Sequence, residues 1–119
     1  MIEVVATDIF AKQAKRLYKK YPSIKNDIEA LSDSLSENPL QGIPINDKYR
    51  KIRMRITSKG KGKSSGARVI TLNLYVESIE DIKKVVLVTI YDKSEKESIS
   101  ENEIDNILKN SSIFIKSNG

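Results

Sequence analysis

The stretch that most constrains this chain is Val85–Tyr91, which reads VVLVTIY. A run so nearly continuous in apolar residues predicts a strand buried on both faces, and hence a central strand of a sheet. Other segments fall in place around it. Ile2–Ala6 is short, β-branched and apolar, and predicts a strand. Thr7 or Asp8 can cap a following helix. Phe10, Ala14, Leu17, Tyr18 and Tyr21 then recur at helical spacing, with Lys12, Lys15, Arg16, Lys19 and Lys20 on the other face. Tyr18 and Tyr21 fit the apolar face and are expected in the core. Pro22 stops this helix. Ser23 can cap a second one, whose stripe is Ile24, Ile28, Leu31 and Leu35. The short connection predicts an antiparallel helical hairpin. Asn38-Pro39 ends it, and Leu40–Asp47 reads as a loop.

Residues 49–57 alternate: Ile52, Met54 and Ile56 point one way, Lys51, Arg53 and Arg55 the other. That period of two predicts a half-buried strand with a cationic outer face. Residues 58–66, SKGKGKSSG, read as a flexible basic loop. Residues 67–76 form the next strand, and Glu77–Asp81 a turn. Ser100 and Glu103 match a capping box, with Ile99 and Ile104 placed as a hydrophobic staple. Ile104, Ile107 and Leu108 make a short helix. The tail from Ser111 retains Ile113, Phe114 and Ile115, which can dock. The order β-α-α-β-β-β-α predicts an α+β domain over residues 1–110, a helical hairpin on one face of a small antiparallel sheet, with a tail at 111–119.

Composition narrows the chemistry. The chain has no Cys and no His. Disulfides, thiolate zinc sites and Cys nucleophiles are excluded, and so are a Ser-His-Asp triad and a His-based ribonuclease site. No cofactor and no metal are expected. No apolar run reaches membrane-spanning length, and the N-terminus lacks the basic region of a secretory signal, so the expected setting is the cytoplasm, away from membranes.

Charge is concentrated. The net charge is +5, yet nine basic residues and no acid lie between Lys48 and Arg68, so the rest of the chain is net negative. This asymmetry points to a polyanionic partner. Lys51, Arg53 and Arg55 would stand side by side, Arg68 can join them across the hairpin, and Lys59, Lys61 and Lys63 lie on the connection. Together they suit a nucleic-acid backbone. A solvated face with Lys discouraging edge pairing is the plainer alternative, but ordinary surfaces mix signs. Tyr91 and Lys93 sit where the buried strand runs out. Tyr91 can stack on a base or cap the core, and Lys93 can donate to a phosphate or merely start a turn. Ser64-Ser65-Gly66 does not follow the P-loop pattern.

YRKIRMR at 49–55, the Lys/Gly loop leading into SGARVI at 65–70, TIYDKSE at 89–95 and ENPLQGIPI at 37–45 resemble the RelE/ParE superfamily of type II toxins, within it the RelE/HigB-like mRNA interferases. The resemblance covers about residues 8–109. It implies a RelE-like toxin fold with a concave basic face. It also implies entry into the ribosomal A site and metal-independent cleavage of the message by attack of a 2′-hydroxyl on the adjacent phosphate. Lys51 and Arg53 match the family's basic pair, and Arg68 its transition-state arginine. Lys93 stands where several relatives carry His, as a candidate general acid, with Tyr91 nearby. The implied catalytic set is Arg53, Arg68, Tyr91 and Lys93. Lys51, Arg55, Lys59, Lys61 and Lys63 would hold RNA. The implied partners are mRNA, the ribosome and a cognate antitoxin, in a hetero-oligomeric complex. A ParE-like DNA gyrase inhibitor and a non-catalytic RNA- or ribosome-binding module are the alternatives.

Overall fold

The computed structural model describes residues 2–75 and 81–114. β1 (Glu3–Thr7) runs directly into α1 (Asp8–Lys20) because Thr7 serves both. Its hydroxyl accepts from the Phe10 N–H at 2.9 Å and donates to the Val88 carbonyl at 2.8 Å, satisfying one of the free donors of the first turn. α2 (Ile24–Glu37) follows after Tyr21–Ser23. Ser23 stands at its start but does not cap it. Its backbone is already helical, and its hydroxyl instead donates to Asp27 Oδ2 at 2.7 Å and accepts from the Ser58 N–H at 2.8 Å.

β2 (Ile43–Pro44) and β3 (Tyr49–Met54) are joined by a tight connection. Gly42 precedes β2 at φ +82°, with the Lys51 carbonyl where a Cβ would sit, so only glycine fits. β4 (Ala67–Tyr75), β5 (Ile82–Asp92), α3 (Glu101–Lys109) and β6 (Ile113–Phe114) complete the chain. Ser100 and Glu103 form the expected capping box, and Ile99 packs in the same cluster as Ile104. The turn expected at Glu77–Asp81 lies, Asp81 apart, outside the described residues, as do Val76 and Ile115.

The strands form one sheet in the order β2-β3-β4-β5-β1-β6. β5 is central and nearly all buried, as VVLVTIY predicts. The expectation of an antiparallel sheet needs correction, because β1 pairs with β5 in parallel. β1 is separated in sequence from β5 by the helices and three strands, so no tight hairpin imposes the antiparallel sense. Both faces are covered. Phe10, Leu17, Ile24 and Leu35 of the helical pair pack on Ile52, Met54, Val69 and Leu87, whereas Ile104 of α3 packs with Tyr49, Ile70, Val86 and Val88.

One irregularity sets the facing of the strand end. Ile70 lies opposite Thr89 and Thr71 opposite Leu87, so Val88 is an extra residue, a β-bulge in β5. Before the bulge Val85 and Leu87 face α1 and α2; after it Ile90 does. Tyr91 and Asp92 therefore exchange the sides that unbroken alternation would give them. No helix among the described residues is long and apolar enough to cross a membrane.

Tyr18 departs from expectation: it is 50% exposed, while Leu17 is fully buried. Leu17→Ala should lower unfolding free energy by about 2–5 kcal/mol in urea titrations. Tyr18→Ala should change it by under about 1 kcal/mol.

Candidate nucleic-acid interface

β-register brings the predicted site residues together. Arg53 on β3 lies directly opposite Arg68 on β4, and Arg68 opposite Tyr91 on β5. Residues directly opposite share a face, so these three form a row across the sheet. They lie on the α3 side, where Tyr49 and Ile70 are already packed. Lys51 is one step along β3 on the same face. Lys51, Arg53, Arg55 and Lys63 also line an open groove of about 630 Å³ whose far wall is α2. Lys61 is exposed on the connection.

Arg68 is the least expected member, being only 5% exposed. Its Nη1 donates to the Lys63 carbonyl at 3.1 Å and to the Ala67 carbonyl at 3.3 Å, and its Nη2 to the Ser64 carbonyl at 3.0 Å. It forms no ion pair among the described residues. Burial, and then the neighbouring Arg53, lower its pKa, and Tyr91 opposes this. A guanidinium stays protonated regardless, so a positive charge is held, nearly buried, on this face of the sheet.

Tyr91 is 6% exposed, and its hydroxyl is buried with no hydrogen-bond partner among the described residues. Burial raises its pKa, with Arg68 and Lys96 pulling it back and Glu103 raising it. Tyr91 therefore keeps its proton at neutral pH. The sequence reading missed Lys96 and Glu103, which pair at 2.9 Å beside it. Their only signal was that the capping box would bring α3 back towards the strand end. α3 is further tied down by the Tyr49 hydroxyl, which donates to Asp105 at 2.6 Å. Burial and that carboxylate push the Tyr49 pKa up to about 12.

Besides Arg68, two cations of the basic segment, Arg50 and Lys59, and Lys93 beyond it are engaged within the protein. Arg50 donates to the carbonyls of Leu40, Gln41 and Gly42. Lys59, expected to hold RNA, instead pairs with Asp92 at 2.8 Å and donates to the Ser65 carbonyl at 2.7 Å. Lys93, expected as an acid, donates its ammonium to the Glu97 carbonyl at 2.8 Å. The loop expected to be flexible over 58–66 contains two short 3₁₀ turns, Thr57–Lys59 and Lys63–Ser65. Asp27 binds the first through the N–H and hydroxyl of Thr57 at 3.0 and 2.6 Å.

Asp92 faces α1. It is fully buried and accepts from the Tyr21 hydroxyl at 2.7 Å and from the Ser94 N–H and hydroxyl at 3.0 and 2.8 Å, besides Lys59. Burial alone would raise its pKa. Lys59, Tyr21 and Ser94 outweigh it and hold the carboxyl well below the usual range.

No protein-family model matches the chain, and no curated protein matches it.

A carboxylate with a depressed folded pKa contributes stability above its unfolded value of about 3.9 and loses it as pH falls through the folded value. Asp92→Asn should thus be less stable at pH 7. Its denaturant-derived stability should also decline less steeply than that of the wild type below about pH 4.

Proposed function

We propose that this protein is a RelE-like endoribonuclease toxin. It cleaves mRNA on the ribosome by metal-independent attack of a 2′-hydroxyl on the adjacent phosphate, and a cognate antitoxin neutralises it. The observation carrying this reading is the row Arg53–Arg68–Tyr91 across three strands, its Arg53 end opening on the groove lined by Lys51, Arg55 and Lys63. The resemblance of the 49–55, 65–70 and 89–95 segments supports it.

The chemistry follows from charge and position. In-line attack places extra negative charge on the phosphorane oxygens. Arg68, whose charge is not neutralised by any described carboxylate, is the group that would stabilise that charge, assisted by Arg53. Lys51, Arg55, Lys61 and Lys63 hold the flanking backbone as salt-sensitive contacts. Tyr91 keeps its proton at neutral pH and so acts as a donor, to a phosphate oxygen or the leaving 5′-oxygen. Neither arginine serves as a base, since guanidinium does not deprotonate. The 2′-hydroxyl proton passes to water as the 2′-O–P bond forms and the P–O5′ bond breaks, leaving a cyclic phosphate and a 5′-hydroxyl. Rate enhancement rests on orientation and charge stabilisation.

The near-complete burial of Arg68 and Tyr91 favours a second reading, a non-catalytic RNA- or ribosome-binding module that uses only the exposed cations.

Primer extension on a message translated in a reconstituted system separates the two. Wild type should cut within the reading frame, and Arg68→Ala should cut about 10²–10³-fold more slowly. An intact message with wild type, or equal cutting by Arg68→Ala, overturns the nuclease reading. Binding to single-stranded RNA should weaken with salt, and Arg53→Ala should lower the logarithmic slope by about 0.7.

A further inference from the structure

Two cations divide the carbonyls of one short turn. Arg68 takes those of Lys63 and Ser64, and Lys59 takes that of Ser65 at 2.7 Å. They approach from different sides of the sheet. Arg68 shares its face with Tyr91, whereas Lys59 lies over the Tyr21 ring and binds Asp92.

The turn is held at its far end too. The Gly66 carbonyl accepts from the Lys93 N–H at 3.0 Å, and a Cβ on Gly66 would run into the Met54 carbonyl. Residues 63–66 are thus fixed by β3, by β5 and by the Lys59–Asp92 pair.

The consequence falls on Arg68. Guanidinium carries five N–H donors, and the carbonyls of Lys63, Ala67 and Ser64 take three of them. Nε–H and one Nη2–H remain without a partner among the described residues, a fork of two donors for the oxygens of a phosphate. The direction of that fork is set by where the 63–65 carbonyls sit. A buried ion pair adds little net stability over an apolar filling, so its positional effect is the feature to explain.

We propose that Lys59 and Asp92 are positioning residues for Arg68. By holding the Ser65 carbonyl from the other side of the sheet, they fix the turn that aims the free guanidinium fork at a phosphate. This rests on reading Arg68 as the phosphate-binding group, and it makes Lys59 a brace within the protein rather than an RNA contact.

The test uses the full chain carrying Lys59→Met together with Asp92→Asn, so that no buried charge is left alone. Lys59→Leu together with Asp92→Asn, which again leaves no buried charge alone, is the second variant and is read the same way. The first readout needs no RNA: the arginine Nε–Hε resonances by NMR. The Arg68 signal should shift and exchange faster with water, while that of Arg50, bonded to the Gln41 carbonyl at 2.8 Å, should stay put as the control for folding. The second readout is binding of a fluorescent single-stranded RNA of about eight nucleotides. The paired substitution should weaken binding about tenfold, the loss of one charge-assisted hydrogen bond. In an Arg68→Ala background the same change should have almost no effect, because the group being aimed is gone. Lys59→Arg should restore both readouts.

An unmoved Arg68 resonance, or equal losses with and without Arg68, overturns the positioning role. Failure of the wild type to bind RNA overturns the functional reading instead, and the NMR arm still decides the positioning role.

Discussion

The central strand β5 is covered on both faces, and the rest of the molecule answers to that constraint. A strand so enclosed has no solvent to satisfy the polar groups at its end. Tyr91 and Asp92 must therefore be accommodated by neighbouring elements. Asp92 finds four donors: Lys59, Tyr21 and two from Ser94. Tyr91 finds none among the described residues and is left with a buried hydroxyl near Arg68 and the Lys96–Glu103 pair.

The bulge at Val88 separates these two outcomes. One extra residue rotates the end of β5, so the carboxylate faces the helical pair and the phenol faces the cationic row. With strict alternation the carboxylate would stand beside Arg68 and neutralise it. The positive surface thus depends on a single irregularity in backbone pairing as much as on the number of lysines and arginines.

The basic segment is accordingly not one uniform patch. Arg50, Lys59 and Arg68 donate to backbone carbonyls and shape the connections around β3, Arg68 with only three of its five N–H groups, while Lys51, Arg53, Arg55, Lys61 and Lys63 have no side-chain hydrogen bond among the described residues. Cations that bind carbonyls organise loops that have too few apolar residues to pack. This explains how SKGKGKSSG, which has no core-forming side chain, takes up a defined path.

Much was legible from sequence alone. Local signals placed the helices, the capping box at Ser100 and Glu103, the alternation of β3 and the central position of VVLVTIY. Each depends on spacing within a few residues. The grouping of Arg53, Arg68 and Tyr91 was legible in part, since a hairpin brings strand neighbours together. The parallel pairing of β1 with β5, the exposure of Tyr18, the Asp92–Lys59 pair and the burial of Arg68 were not legible. They join residues far apart in the chain, and no periodicity encodes how one face meets another. The sequence determined which residues carry the charge. Tertiary structure alone decided which of those charges are consumed inside the protein and which face outward, because that depends on strand register and one bulge.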